Sequence, residues 1–196
     1  KDMLRFVKGE TTQLEKVVIS DLLAELQQVI EPQMAPLNLQ FIIRDHSHAE
    51  SLMTNHQALC GAMINLLENA IQASSPGDQI VLSSNLEAEN IVLSVHDDGP
   101  GIDSALQERL FEPFFTTKGI GEGTGLGLAI SYGIIKQHSG YITVCSEPGT
   151  GNGTIFTIYL PLIEDAAPLR KEMEATISAK GGIETILVAE DDAALR

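Results

Sequence analysis

Asn65 and Asn69 stand four residues apart in Asn-Leu-Leu-Glu-Asn-Ala (65–70). On a helix their carboxamides project from one face, one turn apart. Carboxamide oxygens can ligate Mg2+, a hard cation that keeps several waters and takes few protein ligands beside phosphate oxygens. The plainer account is two solvated residues on an exposed face, with Glu68 and Gln72 beside them as ordinary surface residues. Further on, Asp97 closes an apolar run (Ile91, Val92, Leu93, Val95) and precedes Gly99-Pro100-Gly101. A carboxylate there can accept a hydrogen bond from the exocyclic amine of adenine and discriminate against guanine. The two glycines allow close backbone approach of a base. A plain Asp98-Gly99 turn is the competing account.

Gly121, Gly123, Gly125 and Gly127 alternate into the start of an apolar helix. N–H groups and the helix dipole can face a phosphate at such a start. The spacing is neither the G-x-G-x-x-G of dinucleotide sites nor a P-loop. A flexible linker competes, but Leu126 and Leu128 between the glycines count against it. Lys118 is the only cation between Arg109 and Lys136. It is the best-placed charge for a γ-phosphate, or else a solvated loop lysine. Phe111, Phe114 and Phe115 are half of the six Phe of the chain. They suit either apolar anchors for a segment that closes over nucleotide or plain core packing.

These groups need elements to hold them. Ser20 can cap a helix over 21–30, where Leu22, Leu23, Leu26, Val29 and Ile30 recur at helical spacing and Pro32 and Pro36 end it. Strands are expected over 39–44 and 51–53. A long helix capped by Thr54 or Asn55 follows to about Ala73, with Leu59, Met63, Leu66, Leu67, Ala70 and Ile71 as its apolar stripe. The β-rich runs 80–85 and 91–97, split by a polar turn, predict a hairpin. A short helix over 104–110, a helix over 124–138 and a last hairpin of 141–146 with 154–160 complete the pattern. Residues 1–16 suit the end of a helix and a linker.

Composition bounds the function. A net charge of −15, with 27 acidic against 12 basic residues, argues against a nucleic-acid backbone binder. A chain so acidic must hold a triphosphate locally, through backbone N–H groups and a metal ion. With 43% hydrophobic residues it can build a core. No apolar run reaches the roughly 18 residues of a membrane span, and no signal-peptide pattern opens the chain. A cytoplasmic piece of a longer protein, without membrane contact of its own, is the expectation. Cys60 and Cys145 read as small core residues, and the five His show no metal spacing.

Taken in order, the segments resemble the catalytic ATP-binding domain of sensor histidine kinases, in the superfamily shared with DNA gyrase B, the heat-shock chaperone and the mismatch-repair ATPase. Residues 65–70 match its asparagine box, 97–102 the first glycine box, 111–115 the phenylalanine box and 123–128 the second glycine box. Gly149 to Thr154 resembles the Gly-Thr segment before the last strand. The resemblance implies an α+β fold: a two-layer sandwich with a mixed, mostly antiparallel sheet covered on one face by helices. It implies ATP and Mg2+ as cofactors, with Asn69 on the metal and Asn65 near the phosphates. Asp97 would bind adenine, and Ala73 and Ile102 would line the base pocket. Gly99, Gly101, Lys118, Gly123, Thr124, Gly125, Leu126, Gly127, Leu128 and Thr154 would complete the nucleotide contacts.

Hydrolytic relatives carry a water-activating Glu where this chain has Asn65. An amide cannot take that proton, so the γ-phosphoryl would be kept for transfer to a His outside the chain, with Asn65 and Lys118 as the catalytic pair. Many kinases of the family have Lys where Gln72 stands, which shifts more of the phosphate contact to Lys118. No His-Glu-x-x-x-Pro acceptor box is present. Residues 1–19 resemble the end of a dimerisation helix and linker, 20–162 the catalytic domain, and 163–183 a linker. Residues 184–196 resemble the start of a response-regulator receiver domain, with Glu190 and Asp191 as its acidic pair. The implied partners are ATP, a dimerisation and phosphoacceptor domain, and a receiver domain or response regulator. A serine/threonine kinase of the anti-sigma type and a non-catalytic partner-binding module are the alternatives.

Overall fold

Alternation of apolar and polar residues builds the sheet that carries the site. In the computed structural model, which describes residues 14–117, 124–149 and 153–162, strand β4 (Gln79–Glu87) buries Ile80, Leu82 and Ser84 and leaves Val81, Ser83 and Asn85 partly exposed. It pairs antiparallel with β5 (Asn90–Asp97), Ile80 opposite Asp97. β7 (Thr154–Pro161) continues the sheet beside β5, and β6 (Tyr141–Ser146) closes that edge. On the other edge β2 (Gln40–His46) runs parallel to β4. The order β2-β4-β5-β7-β6 is thus mixed and mostly antiparallel, as the resemblance implied.

Three helices supply the second layer: α1 (Ile19–Met34), α2 (His56–Ala73) and α4 (Gly127–Gln137). Leu59, Met63, Leu66 and Leu67 of α2 are at most 1% exposed. They join one core with Leu22, Leu26 and Ile30 of α1 and with Leu82, Leu93 and Ile158 of the sheet. Each such side chain stabilises the fold by about 1.5–3 kcal/mol through area removed from water. Asn55 caps α2, its Oδ1 accepting from the Ala58 N–H at 2.8 Å. The ring of His138, at the end of α4, accepts the Asn55 N–H on Nε2 at 3.1 Å. Its Nδ1 meets the Ile134 carbonyl at 2.7 Å, which makes Nδ1 the protonated nitrogen. That ring ties the end of one site helix to the start of the other.

Several expectations shift. Helix α1 begins at Ile19, with Val18 and not Ser20 at its N-cap position and no side-chain cap. It runs through Pro32 to Met34, because the proline lies on an exposed side where one lost backbone hydrogen bond can be replaced by water. Pro36 lies in a 3-10 turn over Ala35–Leu37. Glu15–Val18 form a strand, β1, paired antiparallel with β3 (Ser51–Thr54), where a linker was expected. The short helix α3 covers only Ser104–Gln107. Cys60 is buried as expected, but Cys145 is exposed. Among the described residues no helix is long and apolar enough to cross a membrane. Lys118, Gly123 and the receiver-like segment 184–196 lie outside the described residues.

Candidate nucleotide-binding site

Helix α2 turns its apolar stripe to the core, so Asn65, Glu68, Asn69, Gln72 and Ala73 face the other way. They form one wall of an open cavity of about 670 Å3. The end of β5 adds Asp97, the loop after it Gly101 and Ile102, and the approach to α4 adds Thr124, Gly125, Gly127 and Leu128. Thr154, at the start of β7, completes the expected set on the same cavity. Gly99 and Leu126 are not among the lining residues. Glu68 and Gln72 do line it, a correction to their reading as ordinary surface residues.

The two carboxamides are held by their nitrogens. Nδ2 of Asn69 donates to the Asn65 carbonyl at 2.8 Å, one turn back along α2. Nδ2 of Asn65 donates toward α4, to Ser131 Oγ at 3.3 Å and the Gly127 carbonyl at 3.4 Å. Among the described residues no hydrogen bond is seen to either amide oxygen, which leaves both for a ligand. Among the described residues no group of three or more His, Cys, Asp or Glu could cage a metal. Neutral amide oxygens with few protein ligands fit Mg2+ held jointly with phosphate, and Asn65 and Asn69 are the residues that could hold it.

Asp97 is 3% exposed and its Oδ1 accepts the Gly99 N–H at 2.9 Å. Burial pushes its carboxyl above the usual range, opposed by the backbone N–H groups of Gly99 and Thr154 and by His96. A buried carboxylate on the wall of a cavity is an acceptor that singles out an amine donor. Packing here requires glycine. A Cβ at Gly99 would lie 2.7 Å from Asp97 Oδ1 and 2.9 Å from the Ala73 carbonyl oxygen. At Gly153 it would strike the Asp97 carbonyl outright.

Ile102 is pinned at both backbone atoms. Its N–H donates to Ser146 Oγ at 2.8 Å, and its carbonyl accepts from Gln107 Nε2 at 2.7 Å. The same Gln107 nitrogen donates to the Ser146 carbonyl at 2.7 Å. Neither Gln107 nor Ser146 is legible as a site residue, because each acts through hydrogen bonds to residues distant in sequence and belongs to no local pattern. Ser131 escaped notice for the same reason.

The glycine-rich approach to α4 is kinked where the sequence reading expected helix. Gly125 has φ +64°, a left-handed conformation that ends the loop, so α4 starts at Gly127 and not at Thr124. The Gly125 carbonyl accepts the Phe114 N–H at 2.9 Å, and a Cβ on Gly125 would press on the Phe114 backbone. The three Phe divide their roles. Phe111 meets Tyr132 with ring centroids 5.3 Å apart. Phe115 lines the cavity beneath the Arg109 guanidinium, 4.4 Å from the ring centroid. Phe114 points outward, 70% exposed. No Lys or Arg is found among the described lining residues. The start of α4, with its free N–H groups, is therefore the positive end that the described part of the cavity offers a phosphate.

Comparison with known proteins agrees with this arrangement. The chain is 34% identical to the sensor kinase CckA of Brucella abortus, over 98% of the chain and 22% of that protein. It is 39% identical to the sensor protein kinase FleS of Pseudomonas aeruginosa, over 86% of the chain and 40% of the relative. The chain thus spans less than half the length of these curated relatives. Its fold superposes on the catalytic domain of the histidine kinase ThkA with a TM-score of 0.68 and 29% identity, covering 76% of the chain and 95% of that domain. Residues 54–164, more than half of the chain and every residue that lines the cavity, match the family profile described as histidine kinase-, DNA gyrase B- and HSP90-like ATPase, and the chain belongs to that family.

Proposed function

We propose that this chain is the catalytic ATP-binding domain of a sensor histidine kinase, one that transfers the γ-phosphoryl of Mg·ATP to a His side chain outside these 196 residues. The observation that carries the reading is the meeting of Asn65, Asn69, Asp97 and Gly125 on a single cavity, from three separate stretches of chain. Asp97 receives the adenine amine, with Ala73 and Ile102 against the base. Gly125 and Gly127 hold phosphate oxygens through the backbone, Leu126 keeping the role the resemblance implies although it does not line the cavity, and Lys118 is assigned to the γ-phosphate from the sequence alone. Asn69 offers its Oδ1 to Mg2+, which when bound offsets phosphate charge and orients the triphosphate. In the transfer, an imidazole nitrogen of the acceptor bonds to the γ-phosphorus, the β,γ-bridging P–O bond breaks and ADP leaves. The domain contributes positioning and electrostatic support rather than covalent chemistry.

Asn65 favours transfer over hydrolysis. Its amide cannot act as a base toward water, and its Nδ2 is committed to α4. The tail from 184, with Glu190 and Asp191, is read as the start of a receiver domain in a hybrid kinase working in the cytoplasm. The alignment with CckA supports a kinase parent, since at 98% coverage it reaches into that tail. The test is to incubate the chain with Mg2+, γ-labelled ATP and a histidine phosphoacceptor domain supplied in trans. Acid-labile phosphate on the acceptor is expected. Acid-stable phosphate, or release of inorganic phosphate alone, would contradict the proposal.

A further inference from the structure

Ser131 is fully buried, 0% exposed, on a face of α4 that otherwise packs Ile134 and Ile135. Its Oγ lies 3.0 Å from the Gly127 carbonyl, one turn back on its own helix. That bond alone would satisfy a helical serine. Two further contacts reach across from α2: the Ala62 carbonyl at 3.3 Å and Nδ2 of Asn65 at 3.3 Å. A hydroxyl has one proton and two lone pairs, so the two carbonyls share the proton while a lone pair receives the asparagine. Asn65 lines the cavity and Ser131 does not.

We infer that Ser131 is a positioning residue for Asn65, setting which end of the Asn65 carboxamide meets the nucleotide. The two ends of an amide are nearly equal in size and opposite in hydrogen-bonding sense, so sterics alone cannot orient it. The hydroxyl of Ser131 and the carbonyl of Gly127 are both acceptors toward Nδ2. Together they draw the nitrogen to α4 and leave Oδ1 to the cavity. Without the hydroxyl, Nδ2 keeps only the longer Gly127 contact at 3.4 Å. The carboxamide is then free to rotate and present a donor where the site uses an acceptor. The same contacts couple Asn65 to the glycine-rich start of α4. Ser131 thus holds two of the proposed phosphate-facing groups in one register. This inference rests on the nucleotide reading of the cavity.

The test uses the isotope-labelled chain and records the side-chain amide proton pair of Asn65 by NMR, with and without Mg·AMPPNP. In the unaltered protein the two protons are inequivalent and slow to exchange. Ser131→Ala moves and broadens that pair and weakens AMPPNP binding roughly tenfold, as expected for one hydrogen bond inside a site. The same change in an Asn65→Ala background costs less than about twofold, because the two residues act as one unit. Ser131→Thr, which retains a hydroxyl, recovers the Asn65 signal. An Asn65 amide pair untouched by Ser131→Ala, or equal losses of affinity in both backgrounds, overturns the inference and leaves Ser131 as a packing residue. Failure of the unaltered chain to bind AMPPNP would instead defeat the nucleotide reading. The Asn65 amide pair recorded without nucleotide still decides the role of Ser131.

Discussion

Replacing Asp97 by Asn is nearly isosteric and removes one charge from the wall of the cavity. The Asp97 carboxylate is 3% exposed, and one oxygen already accepts the Gly99 N–H. In Asp97→Asn the remaining oxygen can keep that bond, which turns the NH2 toward the base, where it opposes the adenine amine. The loss is one charge-assisted hydrogen bond, roughly 1.5–3 kcal/mol. At about 1.4 kcal/mol per decade, Kd for Mg·AMPPNP rises about ten- to a hundredfold. Folding responds differently. Burial holds the folded-state carboxyl above its ordinary value of 3.8. Its contribution to stability is therefore complete below that value and is lost as pH rises through the raised one. At neutral pH the neutral amide escapes this loss, so the nucleotide-free variant melts no lower than the parent. Calorimetric titration paired with thermal melts at pH 7 separates the two effects. A folded variant that binds AMPPNP as tightly as the parent would refute the assignment of Asp97 to the base.

Other substitutions probe the remaining parts. Asn69→Ala removes the amide oxygen proposed for the metal, so the gain in AMPPNP affinity on adding Mg2+ shrinks while metal-free binding stays within about twofold; paired titrations with Mg2+ and with EDTA read this directly. Gly125→Ala forces a side chain into a φ of +64° and to 2.7 Å from the Phe114 carbonyl oxygen. The expected loss in nucleotide affinity exceeds tenfold, with far-UV circular dichroism unchanged because the strain is confined to the loop. Leu67→Ala, at a fully buried position of α2, costs about 2–5 kcal/mol in urea unfolding, with m unchanged.

The strongly patterned elements were legible in the sequence. The stripe Leu59, Met63, Leu66, Leu67, Ala70 fixed α2 and with it the direction of Asn65 and Asn69. The alternation over 80–97 fixed the hairpin that delivers Asp97. What escaped depends on partners far along the chain. Glu15–Val18 is a strand only because β3 lies beside it, and a four-residue segment with two valines carries no period by itself. The start of α4 moved by three residues because Gly125 answers to the Phe114 backbone, a contact that no helical pattern encodes. Gln107, Ser131 and Ser146 shape the site through polar contacts that span 39 to 69 residues of sequence. Glu68 reaches the cavity because the wall formed by α2 is wider than two asparagines.

The account is tested most directly by a crystal structure of the chain with Mg·AMPPNP. It predicts the adenine amine at about 3 Å from the Asp97 carboxylate, the metal at about 2.1 Å from Asn69 Oδ1, and phosphate oxygens on the N–H groups before α4. Nucleotide bound elsewhere, or seated in this cavity with its base away from Asp97, would contradict it.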